Sequence, residues 1–212
     1  MPRLAAVCMA MVLSACGGGG SDLPGCTPHP VSIALFGDST QVGAYNVGAL
    51  QRYLEARFGK DGVRIELRAV SSTYSGQLVA GQDGLNLPWP QSVHADIVLM
   101  NHGINDAGYS NLTDYVASLQ VLEHAPAVVI FETPNPVSGQ AYSTAPYAQA
   151  MRDVAARAHL AVADVQAYVL GVPNWQADLP DGVHPAAAMH ELIAANVTGP
   201  VVAKAVQVAG CR

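Results

Sequence analysis

Three short segments carry residue types that could share one reaction: Phe36-Gly37-Asp38-Ser39-Thr40, Gly103-Ile104-Asn105-Asp106 and Asp181-Gly182-Val183-His184-Pro185. A serine hydroxyl is a weak nucleophile and needs a base beside it. Asp181 and His184 stand three residues apart across a turn that contains glycine. That spacing lets the carboxylate accept the imidazole Nδ1–H and leaves Nε2 free to take a serine proton. An asparagine amide in a loop can donate to the oxygen on which charge gathers when a carbonyl is attacked. Each segment also has a plainer reading by itself. Gly-Asp-Ser fits an Asx-capped turn, Asn105 fits a helix cap, and an aspartate and a histidine in a loop fit a solvated pair.

Other chemistries lack their residues. There is no Gly-x-Ser-x-Gly elbow, which argues against the α/β-hydrolase version of serine chemistry. The Gly37 loop lacks the further glycines or the Gly-Lys-Ser/Thr pair of a phosphate cradle. His184 and His190 are six residues apart with no third ligand at metal spacing, and there is no Cys-x-x-Cys pair, so neither a metal nor another cofactor is expected.

The elements that must position these segments alternate along the chain. Apolar runs at Val31–Phe36, Val63–Val70, Asp96–Met100, Ala127–Phe131 and Ala161–Val165 are expected strands. Between them, Leu50, Tyr53, Leu54 and Phe58 share a helical face, as do Val116, Leu119 and Leu122, and Tyr147, Ala150, Met151, Val154 and Ala158. Residues Ala186–Val208 are expected to be helical, bent or broken at Gly199-Pro200. Five apolar strands with helices between them predict a five-stranded parallel sheet covered on both faces, a three-layer α/β/α sandwich. In such a sheet the chemistry sits at the carboxyl ends of the strands. Ser39 follows the first strand, expected to feed a loop, and Asn105 follows the Asp96 strand.

In this order and at these positions the segments resemble the GDSL, or SGNH, hydrolase family. Gly-Asp-Ser lies early in the domain, Gly-x-Asn-Asp follows the third strand, and Asp-x-x-His lies near the C-terminus. Ser75-Gly76 matches the family's glycine after the second strand, although the residues before it lack an asparagine often found there. Thr40 stands where many members have leucine. The resemblance spans about residues 31–208. It implies a flavodoxin-like sandwich, with Ser39 as nucleophile, His184 as base and Asp181 as its orienter. It also implies an oxyanion hole made of the Ser39 and Gly76 backbone N–H groups and the Asn105 side chain. The implied activity is hydrolysis of a small-molecule or glycan ester through an acyl-enzyme, short acyl or O-acetyl groups being favoured. Acyl transfer on the same site and a silent binding module are the alternatives. A monomer is expected.

The N-terminus predicts export. Arg3 precedes a ten-residue uncharged stretch, Leu4–Leu13, the length of a signal h-region and too short to span a bilayer. Leu13-Ser14-Ala15-Cys16 resembles the bacterial lipoprotein signal, which implies a signal peptide over 1–15 and a lipid on Cys16. Residues 16–30 read as a Gly/Pro-rich tether, followed by one domain over 31–212. The expected location is the cell envelope, held to the membrane by that lipid. Cys26 and Cys211 then bracket the exported domain as disulfide candidates; two free thiols are the alternative. Such a bond could add on the order of 5 kcal/mol in the chain-entropy model.

Composition agrees with a globular domain: of the chain's 212 residues half are hydrophobic and 12% are charged. Ten basic against sixteen acidic residues give a net charge of −6 and no basic stripe, which disfavours nucleic acid as a partner. Four further residues are weighed here. His102 is expected to pack rather than touch substrate, and Asp38 to brace its loop as a hydrogen-bond acceptor. Trp89 and Trp175, both expected in loops, fit either a sugar or acyl platform or plain packing.

Overall fold

Five strands, β1 (Val31–Gly37), β2 (Val63–Leu67), β3 (Ile97–Asn101), β4 (Val128–Glu132) and β5 (Ala161–Ala163), pair in parallel in the order β2-β1-β3-β4-β5. The structure is a computed structural model that describes residues 29–210. The expected signal peptide, Cys16, Cys26, Cys211 and all but the end of the expected tether lie outside the described residues. The central strand β3 is buried at all five positions, which is why it reads as an unbroken apolar run instead of an alternation.

Alternate strand residues serve opposite faces. Ala34, Phe36, Val98, Met100, Val129 and Phe131 pack beneath α3 (Ser75–Ala80), α5 (Leu112–Leu122) and α6 (Ala145–Ala158). Ile33, Leu35, Ile97, Leu99 and Ile130 pack beneath α2 (Ala49–Phe58) and α9 (Gly199–Ala209). The three-layer α/β/α sandwich is therefore present. Strand order reverses between β1 and β3, so the loops after these two strands open on one crevice.

Element ends differ from expectation for local reasons. The β2 ladder stops at Leu67, and single bonds from Arg68 N–H to Leu35 O (2.9 Å) and Val70 N–H to Gly37 O (3.0 Å) carry the chain on beside β1. Strand β5 is short because the Asp164 carboxylate accepts the Ala167 N–H (3.2 Å) and starts α7 (Val165–Leu170) at once. The helix at the C-terminus is not broken at Gly199-Pro200. After α8 (Ala187–Ile193) comes one π-helical turn, Ala194–Thr198, and α9 follows with Pro200 in its first turn. Proline has no N–H to donate, and its ring crowds the carbonyl four residues back; one wide turn absorbs both. By length and composition Ala187–Ala209 could cross a membrane, but half of it is buried, with Val202, Ala203 and Val206 in the core.

Candidate active site

Ser39 is the first residue of α1 (Ser39–Val47), so the helix begins where a loop was expected. The Asp38 carboxylate causes this: its Oδ1 accepts the Thr40 N–H at 3.0 Å, an N-cap that holds the Ser39 hydroxyl at the helix start. Position 37 must be glycine, because a Cβ there would lie 2.3 Å from Asn101 O at the end of β3. As a first-turn residue, Ser39 has a backbone N–H with no partner inside the helix.

The His184 Nε2 lies 2.7 Å from Ser39 Oγ, although 145 residues separate them. On the other side of the ring, Nδ1 lies 2.6 Å from Asp181 Oδ2. A carboxylate at that distance assigns the proton to Nδ1 and leaves Nε2 as acceptor of the serine O–H. Asp181 Oδ1 also accepts the backbone N–H groups of Val183 (2.9 Å) and His184 (2.7 Å). Burial alone would raise the Asp181 carboxyl, but the His184 ring and these N–H groups outweigh it and hold it down at about 2. The turn is clamped from outside by Ser138 N–H on Gly182 O (2.7 Å) and Asn135 Nδ2 on Val183 O (2.9 Å). Gly182 has φ +76°, and a Cβ on it would sit 2.2 Å from Ser138 O, so only glycine makes this turn.

Asn105 lies in α4 (Ile104–Tyr109), whose cap is Gly103, so the capping role does not apply. Its Nδ2 donates to Thr73 O at 2.9 Å, which leaves a second amide hydrogen unengaged. Its backbone N–H points to the Asp38 carboxylate. Asp106 accepts the Ser75 N–H (3.1 Å) and hydroxyl, tying the start of α3 to α4. Asn105 thus meets the loop after β2 at Thr73, not at Gly76. Gly76 is the second residue of α3, backed by the Tyr74 ring and Ser118, and no hydrogen bond among the described residues joins it to Ser39 or Asn105. The segment Ser71-Ser72-Thr73-Tyr74-Ser75 gave no signal for where the turn ends and the helix begins.

Beneath the site lie two buried acids. Burial, with repulsion from Asp106, pushes Asp38 up to about 7 against the Thr40 N–H. Asp106 is likewise raised by burial, to about 6.

This arrangement can be compared with known proteins. The family model of the GDSL-like lipase/acylhydrolase family matches residues 35–192. The chain belongs to that family. As a GDSL-type protein it is a carboxylic ester hydrolase. Similar solved structures include the acetylxylan esterase Axe2 from Geobacillus stearothermophilus (21% identity, TM-score 0.63, covering 86% of this chain and 95% of that one). A lipase/acylhydrolase from Enterococcus faecalis is similar at 18% identity and TM-score 0.67, covering 85% and 96%. The α/β hydrolase LAE5 from the metagenome of Lake Arreo, Spain, is similar at 22% identity and TM-score 0.61, covering 87% and 96%. At these identities the likeness speaks for the fold. No curated protein matches the sequence.

Several residues of this GDSL hydrolase that invite a functional reading are packing groups. His102 is buried with Nδ1 on Met100 Sδ (3.4 Å), and burial keeps its imidazole down at about 4. Trp89 is buried edge-on against Phe36, its indole N–H on His124 O (2.7 Å). Trp175 sits in a 3-10 turn, Trp175–Asp178, against the Val165–Val169 cluster. Glu132, at the end of β4, accepts the Thr198 hydroxyl, and burial pushes it up to about 7. It lines a separate cavity of about 410 Å³ between α1, α2 and α8 that holds none of Ser39, His184 and Asp181.

Three tyrosines near Asn105 escaped the sequence reading. Tyr109 lies one helical turn from Asn105, on the same face of α4. Tyr74 follows the Thr73 that Asn105 holds. Tyr142 lies against Gly108, and burial together with the charges of Tyr109, Asp38 and Asp181 pushes its hydroxyl above the usual phenol range.

Proposed function

We propose that this GDSL hydrolase cleaves short-chain or O-acetyl esters through an acyl-enzyme on Ser39. His184 Nε2 takes the serine proton as Oγ attacks the ester carbonyl, and Asp181 holds the ring and balances the imidazolium. The protonated His184 then gives its proton to the leaving alcohol oxygen as the C–O bond breaks. Water, deprotonated by the same His184, attacks the acyl group, and as the bond to Oγ breaks His184 returns that proton to Ser39 and the acid leaves. The oxyanion donors in this reading are the Ser39 N–H and the free Asn105 amide hydrogen. The Thr73 N–H, which makes no hydrogen bond among the described residues, takes the place first assigned to Gly76. The single observation that carries the reading is the relay of 2.7 Å and 2.6 Å from Ser39 through His184 to Asp181. The acetylxylan esterases among the similar folds support the preference for small acyl groups.

A fluorophosphonate probe should label the wild-type chain on Ser39 and leave Ser39→Ala unlabelled; equal labelling of the variant would end the assignment. A p-nitrophenyl ester series should show rates highest at acetate and falling with chain length.

The exported, lipid-anchored state is the second part of the proposal, supported by Arg3, the Leu4–Leu13 run and Leu13-Ser14-Ala15-Cys16. Cys16→Ser should move the protein from the membrane fraction to the soluble fraction with kcat unchanged, because a lipid on the tether takes no part in the chemistry. Sedimentation of the variant with membranes after a high-salt wash would refute the anchor.

A further inference from the structure

Next to Asn105 and outside the relay lies an open depression of about 560 Å³, lined by Tyr74, Tyr109, Ser110, Asn111, Asp114 and Ser118. That volume falls within the range of small-ligand sites. Its position ties it to the chemistry. Tyr74 follows the residue whose carbonyl Asn105 holds, and Tyr109 stands one turn along α4 from Asn105. Tyr109 is 79% exposed, so a large aromatic face is left in water one helical turn from Asn105.

The lining sorts possible occupants. Two phenol rings offer apolar faces with polar tips. Between them, Asn111 and Asp114 pair at 2.7 Å through Nδ2 and Oδ2, which leaves Asp114 Oδ1 free of side-chain partners. The Ser118 hydroxyl donates to Asp114 O (2.9 Å) and keeps its lone pairs. An alkyl chain laid here would strip water from a carboxylate and an amide and give them nothing in return. An anionic group would meet Asp114 with no lysine, arginine or histidine in the lining to offset it. A ring that presents C–H groups on its face and hydroxyls on its edge satisfies both the tyrosines and the Asn111–Asp114 pair.

We propose that this depression is the alcohol-side subsite of the esterase and holds an uncharged sugar ring of an O-acylated glycan. Tyr109 and Tyr74 cover the ring faces, while Asp114 and Asn111 bond its hydroxyls. The proposal rests on the ester-hydrolase reading of Ser39 and adds to it which side of the ester is recognised, and by what.

The test compares three acetyl esters on the full chain: acetylated xylobiose, acetylated digalacturonate and p-nitrophenyl acetate, which carries no sugar. Wild type should prefer acetylated xylobiose over acetylated digalacturonate by about tenfold or more in kcat/KM. Tyr109→Ala, an exposed position whose folding is checked by circular dichroism, should lower kcat/KM on acetylated xylobiose about tenfold relative to p-nitrophenyl acetate, chiefly through KM. Asp114→Asn should narrow the preference for xylobiose over digalacturonate at least about threefold. Equal losses on all three esters in Tyr109→Ala would overturn the subsite while leaving the esterase reading intact. So would an unchanged xylobiose-to-digalacturonate ratio in Asp114→Asn. A wild-type chain that cleaves none of the three would instead remove the ester-hydrolase reading itself.

Discussion

Asp181 stands on the rim of the crevice with 54% of its side chain exposed and is held at about 2, whereas Asp38, one residue from Ser39, is fully buried and raised to about 7. Both accept hydrogen bonds that shape the site, yet they solve opposite problems. In the proposed mechanism Asp181 must be charged whenever His184 takes a proton, and a charge costs least where water still reaches it and several N–H groups point at it. Asp38 needs only to accept the Thr40 and Asn105 N–H groups, a task that a neutral acid performs as well. The contrast separates carboxylates that act by charge from carboxylates that act by shape, and Asp106 and Glu132 fall with Asp38 in the second group.

The strongest attempt to break this division is at the relay that Asp181 serves. Ser39→Ala and His184→Ala should each lower kcat on p-nitrophenyl acetate by about 10⁴-fold or more, and the double variant should lose little beyond either one. Additive losses would mean that the two do not act as one device.

Asn105 comes next. Asn105→Ala should lower kcat about 10²–10³-fold with KM nearly constant, since in the proposed site its free amide hydrogen donates to charge present only in the transition state. Asn105→Asp should be at least as damaging, because it sets a negative charge against the oxyanion. A near-normal kcat for Asn105→Asp would move the residue out of the chemistry.

Asp181→Asn sharpens the comparison directly. Its loss should be about 10²-fold, short of the roughly 10⁴-fold that follows neutralising a buried triad carboxylate, because water can partly solvate the imidazolium here. A steady-state pH profile should show no acid limb from Asp181 above about pH 3, since the carboxyl stays ionised until its value near 2.

The smallest effect concerns a carboxyl that acts by shape and lines a cavity apart from the relay. Glu132 binds its proton more tightly folded, at about 7, than unfolded, where the value is 4.5. Between these values the folded chain holds more protons, so this group's contribution to stability declines as pH rises and is fully lost above about 7. Glu132→Gln should therefore raise the melting temperature at pH 8 by about 2 °C or more relative to its effect at pH 4, read by circular dichroism. An equal shift at both pH values would mean that Glu132 is not protonated by its surroundings.

Legibility in the sequence followed the length of the physical signal. The strands could be read because a parallel sheet buries both faces and leaves continuous apolar runs such as Ile97–Met100. The six-residue helices α3, α4 and α7 could not, since fewer than two turns carry no helical period. Asp181 and His184 were legible because their geometry is local to one turn. The start of α1 was missed because Gly-Asp-Ser-Thr reads as a loop until the Asp38 side chain is seen to cap it. The proposed site takes Thr73 in place of Gly76 because Asn105 holds Thr73 O, a contact that nothing in Ser72-Thr73-Tyr74-Ser75-Gly76 announces. Tyr74 and Tyr109 come together only in three dimensions.

The turn that carries His184 is fastened to the loop after β4 through Ser138 and Asn135, and among the described residues its hydrogen bonds reach α1 only through His184 on Ser39. Two stabilities therefore coexist in the molecule, that of the packed layers and that of a half-exposed clasp. Warming should open the clasp first. The base would swing away from an intact α1 while every strand remained paired, so heat inactivation would set in below the temperature at which the protein unfolds and would reverse on cooling.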